Sequence, residues 1–327
     1  MILKNKKIKI LVIRFSSIGD IVLTSPVLRC IKTQLNEVEL HYLTKKSFES
    51  VLSANPHIDK LHFFEKSLSD CIKELKSENF DYLIDLHHNL RTLLIKSKLG
   101  VRSSSFDKLN WQKWLLVNFK KNVLPPVHIV DRYLQTVEFL GVKNDNLGLE
   151  YFLQKEYTLV NMLPESHQNY IAVVIGAQHE TKRLPEEKLI ELCTKLDQPL
   201  VLLGGPEDAE RGQRIAQAAG NHVFNACGKF KLDESAFLVK MSDKVITHDT
   251  GLMHIAAAFN RPIFSIWGNT VPEFGMYPYK TDFSSVFQVG NLSCRPCSKI
   301  GHETCPKGHF DCMKKINLNE IVTSING

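Results

Sequence analysis

The stretch that decides the fold reads KVITHDTGLMHIAAA, residues 244–258. Its first part, 244–247, contains the β-branched run Val245-Ile246-Thr247 and predicts a buried strand. A short polar turn begins at Asp249, and a helix-like apolar segment follows. A strand that ends in such a turn and opens a helix presents unpaired backbone N–H groups and the positive end of the helix dipole. This arrangement binds phosphate groups, so the stretch predicts an α/β fold with an anion site.

The same order of strand, turn and helix recurs along the 327 residues. Alternation of this kind is typical of parallel sheets covered by helices. Apolar runs predict strands at 8–15, 39–43, 60–64, 82–86, 171–175, 200–203, 244–247 and 262–266. Helical patterns lie between them, for example at 20–35, 68–76, 130–140, 185–196 and 209–219.

Two domains are expected from the length and from one break in the pattern. Periodicity is lost over 153–169, and a new strand–helix series starts at Tyr170. We therefore predict two doubly wound, Rossmann-like α/β domains, residues 1–160 and 161–327. Ligands of such sheets bind at the carboxyl ends of the strands, and the motifs described next all lie at such ends.

Composition is that of a globular protein, with 43% hydrophobic and 23% charged residues. No apolar run approaches the roughly 20 residues that span a bilayer, and the basic start, residues 1–10, lacks a cleavage site of small residues. We therefore expect no signal peptide and a cytoplasmic location. Residues 1–150 contain 23 Lys plus Arg against 16 Asp plus Glu, a balance of +7. An anionic partner would explain this excess, and so would a proteome rich in lysine.

The first motif, RFSSIGDI at residues 14–21, directly follows the first predicted strand. Ser17 can cap a helix, and Gly19 permits close approach of the backbone to a ligand. Asp20 would lie in the first helical turn. It is either a general base that takes a proton from an attacking hydroxyl or a charge that complements the helix dipole. The motif is not a dinucleotide fingerprint, because the chain has no G-x-G-x-x-G and no G-K-[ST].

Two further motifs follow strands of the second half. GAQHETKRLP, residues 176–185, places Lys182 and Arg183 just before a proline suited to a helix start. A diphosphate could lie there against a cation, although a solvated basic loop has the same composition. GGPED, residues 204–208, offers a tight turn and carboxylates that could bind ribose hydroxyls or could merely begin a helix. In the opening stretch, Thr250 and Gly251 offer backbone N–H groups, and His254 lies one turn further on the same face.

These motifs together resemble glycosyltransferase family 9, the ADP-heptose:lipopolysaccharide heptosyltransferases. The similar segments occur in order from about residue 8 to about residue 315. They are 16–20, 181–185, 204–207 and 249–254, followed by Arg261-Pro262 and Trp267-Gly268. Any one of these segments is weakly specific, and their order makes the resemblance strong. It implies a GT-B architecture, in which two Rossmann-like domains face a central cleft, the first binding the acceptor and the second the nucleotide sugar.

The resemblance also implies an inverting transfer of heptose without a catalytic metal. The residues that match the family's donor-site and catalytic positions are Asp20 as general base, Lys182 as phosphate ligand, Ser17, Gly19, Thr181, Asp249, Thr250, Gly251 and His254. The adenine-contacting position falls near Phe230, and the ribose-binding acid falls at Asp208 or Glu207. Asp20 would deprotonate the acceptor hydroxyl while Lys182 and the amides of residues 250–251 stabilise the departing diphosphate. Because base and leaving-group site come from different domains, we expect domain closure.

The acceptor implied by the resemblance is an anionic saccharide linked to a membrane lipid. Arg and Lys side chains of the basic half suit its phosphates and carboxylates. The candidates are Lys46, Arg91 and Arg132, and Lys45 and Arg102 are further ones. Each of these residues could equally be a solvated surface charge. Segment 108–121 contains two Trp, a Phe and several Lys. It is either a helix at the inner face of the membrane or a helix packed on its own domain.

The C-terminal part contains Cys294-x2-Cys297-x7-Cys305-x6-Cys312, with His302 and His309 nearby. Cys-x2-Cys is typical of zinc or iron–sulfur ligation, and four thiols suffice for a structural zinc. The later spacings are irregular for a zinc ribbon, so a structural metal, free thiols and disulfides remain open. The other cysteines, Cys30, Cys71, Cys193 and Cys227, lie in apolar surroundings and are predicted to be buried.

Three other functions also remain open. The chain could be a transferase of the same architecture that uses another nucleotide sugar, or a noncatalytic protein that binds a nucleotide or a glycan. A zinc-dependent or nucleic-acid module built on the cysteines fits the charge of +6. This last function leaves the strand-end motifs unexplained, and the basic residues lie in the other half of the chain. We therefore expect no nucleic-acid partner.

Overall fold

The computed structural model describes residues 7–65 and 67–327, so most of the basic start used in the signal-peptide prediction lies outside the described residues. The strands are β1 Ile8–Ile13, β2 Val38–Lys45, β3 Lys60–Phe64, β4 Tyr82–Asp85, β5 Arg102–Ser105, β6 Ile171–Val174, β7 Leu200–Leu203, β8 Val223–Asn225, β9 Lys244–His248, β10 Ile263–Trp267 and β11 Ser284–Gln288.

The helices are α1 Ile18–Val22, α2 Ser25–Gln34, α3 Glu49–Leu52, α4 Leu68–Ser77, α5 Leu90–Leu99, α6 Asn110–Phe119, α7 Ile129–Gln135, α8 Glu186–Thr194, α9 Ala209–Ala219, α10 Leu232–Met241, α11 Gly251–Ala258, α12 Asp311–Lys314 and α13 Leu318–Asn326. Short 3₁₀ turns join them, and two of these matter for the site, Glu180–Lys182 and Pro206–Asp208. No helix of the described residues is long and apolar enough to cross a membrane.

The chain divides into two compact units. Unit 1 consists of residues 1–108 and 127–154, and unit 2 consists of residues 109–126 and 155–327. Residues 109–126, which a boundary at residue 160 would assign to the first domain, therefore belong to unit 2. The reason is that Leu116 of α6 is buried in one cluster with Val271 and Phe274.

Each unit is built on one parallel sheet. The order in unit 1 is β3-β2-β1-β4-β5, and the order in unit 2 is β11-β10-β9-β6-β7-β8. Both are doubly wound, which confirms the predicted pair of Rossmann-like domains of the GT-B class. The strand order reverses between β1 and β4 in unit 1 and between β6 and β9 in unit 2. Loops that follow these four strands are where a doubly wound sheet binds its ligand.

The core of each unit is made by the strands and the helix faces that cover them. In unit 1, Leu11, Ile13 and Leu83 of the central strands pack with Leu75 of α4 and Ile95 of α5. Cys30, Cys71, Cys193 and Cys227 are free and buried, as predicted. Burial raises the pKa of each thiol, to about 12 for Cys193, so these cysteines act as small apolar side chains.

A buried polar chain also links β2, β3 and α4 of unit 1. His41 Nδ1 and His62 Nε2 lie 2.8 Å apart, and both rings are buried. The outer nitrogens lie 2.8 Å from Glu39 and 2.8 Å from Glu74. The two buried imidazoles are therefore hydrogen-bonded to each other and to carboxylates that reach the surface, since the Glu39 and Glu74 side chains are 30% and 55% exposed.

Candidate active site

Asp20 lies at the carboxyl end of β1, where the chain turns into α1. The turn begins at Arg14, and Ser17 is the N-cap of the helix. Asp20 Oδ2 accepts hydrogen bonds from Ser17 N at 3.1 Å and from Ser17 Oγ at 2.7 Å, while Oδ1 lies 2.7 Å from Arg14 Nη2. The carboxylate is therefore fixed in position, with each of its oxygens facing a donor.

Arg14 is a buried residue that the sequence analysis did not single out. Its guanidinium donates to Ser16 O at 2.8 Å, to Leu86 O at 2.5 Å and to Tyr133 Oη at 3.0 Å, besides its contact with Asp20. Burial acts to lower the pKa of Arg14, but Asp20 together with Tyr133 and Tyr42 opposes this effect and the pKa is raised. Arg14 thus connects the loop after β1 with the loop after β4, on either side of the reversal in strand order.

His87 lies in the loop after β4, and sequence reasoning gave it no role. Its ring contacts Phe15 with centroids 4.9 Å apart, and its Nδ1 is buried without a hydrogen-bond partner among the described residues. Burial, then Arg14, then Lys108 lower the pKa of His87 to about 4. The ring is therefore neutral at physiological pH, and its surroundings are electropositive.

The predicted acceptor residues of unit 1 differ in accessibility. Lys46 is exposed and lies 2.8 Å from Glu49. Arg91 is exposed on α5, with its guanidinium 5.5 Å from the centre of the Phe64 ring. Arg132 is buried and donates to the backbone carbonyl of Asp107 at 3.0 Å. Lys46 and Arg91 thus present charge at the surface, whereas Arg132 is part of the interior.

The reversal in the second sheet places Lys182, in the loop after β6, beside Asp249, which follows β9. Lys182 Nζ lies 2.6 Å from Asp249 Oδ2 and 3.3 Å from Asp249 O. Thr270, after β10, donates from Oγ1 to the same carboxylate oxygen at 3.0 Å. The side chains of Lys182 and Asp249 are 17% and 11% exposed, so this ion pair is mostly buried and still reaches the surface.

Next to this pair, α11 begins with its first turn open. Thr250 is the N-cap, and its side chain makes no cap bond within the described chain. Its hydroxyl lies 3.4 Å from that of Thr247, and Thr250 and Gly251 are half-buried. The backbone N–H groups of this turn can therefore bind an anion. His254, one turn further along α11, is buried with 2% of its surface exposed.

The two acids after β7 have opposite surroundings. Asp208 is 1% exposed, accepts from Gly205 N at 3.0 Å and lies 3.1 Å from Arg183 Nη1. Burial raises the pKa of Asp208, and Arg183 opposes that effect. Glu207, at the same turn, is exposed. Phe230 lies half-buried in the loop between β8 and α10.

Residues 294–312, called here the cysteine segment, contact the loop after β6, which contains Lys182, and the loop after β10, which contains Thr270. Thr181 is buried, and its Oγ1 accepts from His302 N at 2.8 Å. Arg295 donates to Gly268 O at 2.5 Å and to Thr270 O at 2.8 Å. The side chain of Thr181 is thus used inside the protein, and the cysteine segment supports the Lys182 site.

The four cysteines of this segment are all free. Cys294 Sγ lies 3.7 Å from His309 Nε2, and burial raises the pKa of Cys312 to about 12. Within residues 7–65 and 67–327, one group of three metal-ligating side chains has its ligand atoms within 4.8 Å of one another, and that group is His41, His62 and Glu78. The cysteines do not form such a group. The structural zinc stays a prediction, which metal analysis of the purified protein tests.

Comparison with known proteins gives one consistent result. The model of glycosyltransferase family 9 (heptosyltransferase) matches residues 69–307. Lipopolysaccharide heptosyltransferase 1 of Campylobacter coli is 26% identical over 309 residues, which cover 86% of this chain and 90% of that protein.

Two solved structures share the fold over almost their whole length. The glycosyl transferase family 9 structure from Veillonella parvula DSM 2008 has a TM-score of 0.78 and 23% identity, and the alignment covers 99% of this chain and 98% of that one. The E. coli ADP-heptose lps heptosyltransferase II has a TM-score of 0.72 and 20% identity, with 98% of each chain covered.

Proposed function

The chain belongs to glycosyltransferase family 9 and is a sugar-transferring enzyme, and on that premise we propose that it moves heptose from ADP-heptose to the inner core of lipopolysaccharide. The observation that supports this most is the reversal point of the second sheet. There a lysine, a carboxylate and an open helix N-terminus lie side by side on neighbouring strand ends.

The donor diphosphate binds between Lys182 and the first turn of α11. In this arrangement the ammonium leaves Asp249 for the phosphate, and Asp249 keeps its bond from Thr270. Charge-assisted bonds of this kind stabilise the negative charge that builds up on the departing ADP. Glu207 binds the ribose hydroxyls, and Phe230 contacts the adenine.

Asp20 acts as the general base. It takes the proton of the acceptor hydroxyl, whose oxygen then attacks the anomeric carbon from the face opposite ADP and inverts its configuration. Arg14 and Ser17 support this role because they fix the direction of the carboxylate. Since Lys182 and backbone amides supply the positive charge at the leaving group, this mechanism needs no catalytic metal.

The acceptor is the Kdo residue of Kdo-lipid A or a first heptose that is already attached to it. We place the enzyme at the cytoplasmic side of the inner membrane. The relative from Campylobacter coli is a lipopolysaccharide heptosyltransferase by name, which supports this acceptor class. Lys46 and Arg91, exposed on unit 1, bind its anionic groups.

The test is an ADP-, GDP- and UDP-release assay with a panel of nucleotide sugars and Kdo-lipid A. We expect ADP-heptose to give the highest kcat/KM, and addition of EDTA to leave that value unchanged. A preference for a UDP-sugar would overturn the donor assignment. Tight binding of ADP-heptose without turnover on Kdo-lipid A or its heptosylated form would indicate a noncatalytic binding protein.

A further inference from the structure

The positive charge of the chain is concentrated in one stretch. Residues 86–130 contain eight Lys plus Arg and one acidic residue, Asp107, whereas the whole chain has a net charge of +6. From residue 108 to residue 130 there is no acidic residue at all. Helix α6, Asn110–Phe119, lies in this second part.

One face of α6 exposes three aromatic side chains, called here the aromatic face. Trp111, Trp114 and Phe119 are 64%, 39% and 65% exposed. The two indoles are stacked with centroids 5.0 Å apart, and the Phe119 ring lies 5.2 Å from Trp114. The three rings thus form one continuous apolar surface in water. Soluble proteins rarely leave such a surface uncovered unless something binds to it.

The opposite face and the end of the helix are fixed to unit 2. Leu116 is buried with Val271 and Phe274. Lys120, directly after the helix, donates to Cys294 O at 3.2 Å and to Pro296 O at 2.7 Å. Because α6 is held from behind, the aromatic face is presented outward by a fixed element.

The surroundings of the aromatic face are cationic and apolar. Lys120 and Lys121 follow Phe119 and are exposed. Lys299 donates to Asn110 O at 3.2 Å, which brings the 64% exposed Ile300 close to the start of the helix. Exposed Trp and Phe flanked by lysines on a helix that is too short to span a bilayer are the features of an interfacial helix.

We propose that the aromatic face of α6 binds the surface of a bilayer that contains anionic lipids, with Trp111, Trp114 and Phe119 inserted among the headgroups and Lys121 near the lipid phosphates. The complementary charge selects a lipid surface over a second copy of this chain, which would bring like charges together. The proposal deepens the proposed function, since a lipid-linked acceptor lies at such a surface, but its test does not depend on sugar transfer.

The chain contains an internal reporter for the test. It has three Trp, and the third, Trp267, is 1% exposed in the core of unit 2. A shift of tryptophan emission on adding vesicles therefore reports Trp111 and Trp114. Full-length protein is mixed with phosphatidylglycerol–phosphatidylethanolamine vesicles or with pure phosphatidylcholine vesicles, and binding is measured by flotation and by quenching with brominated lipids.

We expect binding and a blue shift with the anionic vesicles, at least tenfold weaker binding to the neutral ones, and weakening by salt. Trp111→Ser/Trp114→Ser should bind at least tenfold more weakly in flotation. Phe283→Ser removes an aromatic side chain that is 45% exposed elsewhere on unit 2 and should bind like the native protein. Lys121→Gln should weaken binding by a few-fold and keep the blue shift at saturation.

Equal flotation of the double Trp variant and the native protein would overturn the proposal. Failure of the native protein to bind anionic vesicles would also overturn it. If light scattering in that case shows a dimer that the double variant loses, the aromatic face binds a second copy of the chain instead. Circular dichroism and urea unfolding of the double variant should match those of the native protein, which shows that it is folded. Vesicle binding without turnover on any donor would refute the proposed function and leave the lipid surface in place.

Discussion

Asp20→Asn replaces one carboxylate oxygen by an amide nitrogen and keeps the shape of the side chain. In the native protein Oδ1 faces Arg14 and Oδ2 faces the backbone N–H and hydroxyl of Ser17. The backbone N–H and the guanidinium can only donate. Whichever way the Asn amide turns, its nitrogen therefore meets one of these donors and a charge-assisted bond is lost.

Two separate losses follow from this substitution. The proton acceptor is removed, which for a general base lowers kcat by about 10²–10⁴-fold, or roughly 3–5 kcal/mol of barrier. The lost bond lowers the free energy of unfolding by about 1–3 kcal/mol. Little of that second loss is screened by water, because the side chains of Arg14 and Asp20 are only 10% and 19% exposed.

The assay measures ADP release at saturating acceptor, and urea unfolding gives the stability of the same samples. Asp59→Asn is the matched control. Asp59 also accepts a backbone N–H, from Leu40 at 2.6 Å, and pairs with a cation, Lys32, at 2.8 Å. Asp59 precedes β3, however, and therefore lies at the amino ends of the parallel strands, opposite to the carboxyl ends where Asp20 lies. Turnover above one tenth of the native value in Asp20→Asn, or an equal loss in Asp59→Asn, would refute the assignment of the base.

Three further predictions concern unit 2. Lys182→Gln should raise the Kd for ADP by about 10–100-fold because a charge-assisted bond to phosphate is lost, and calorimetry should show no such change for Lys188→Gln, a lysine that pairs with Glu191 on α8. His248 is buried, accepts from Leu184 N at 3.0 Å, and has its pKa lowered to about 3 by burial and then by Arg211. Because the unfolded chain takes up this proton below its ordinary pKa of 6.5, stability falls as the pH drops from 6.5 toward 3. Between pH 7.5 and pH 5.0, the free energy of unfolding measured in urea should therefore fall by about 2 kcal/mol less in His248→Gln than in the native chain. An equal fall in the two proteins would contradict this account. Gly176→Ala places a methyl group 2.3 Å from Asp208 Oδ2 and should lower the free energy of unfolding by about 1–3 kcal/mol, whereas Gly290→Ala, with nothing within 4 Å, should unfold like the native chain.

The sequence predicted every strand that has a neighbour on both sides, since parallel strands of this kind are continuous apolar runs, and it also predicted the edge strand β3. The strands it missed are β5, β8 and β11, and each lies at the edge of a sheet. The sequence of β5, RSSS, has no apolar residue because an edge strand has one neighbour and partial exposure. Strands are predicted from apolar runs, which burial on both faces of a strand requires. The edge strands β5, β8 and β11 are partly exposed and have shorter apolar runs or none.

The positions of the site residues at strand ends were predictable, but their partners were not. Asp20, Lys182 and Asp249 were identified because each of them follows the end of a predicted strand. Position in the chain could not show that Arg14 would turn back onto Asp20, or that Asp208 would be covered while Glu207 stays exposed. These facts depend on contacts between residues far apart in the chain, such as Arg14 with Tyr133, which no local pattern contains.

The assignment of residues 109–126 to unit 2, between two parts of unit 1, has a consequence for protein engineering. The chain passes from one unit to the other three times, after residues 108, 126 and 154. A fragment that starts at residue 155 lacks α6 and exposes Val271 and Phe274, so it should aggregate when expressed alone. A chimera that exchanges donor specificity with a relative must therefore transplant residues 109–126 together with the C-terminal part.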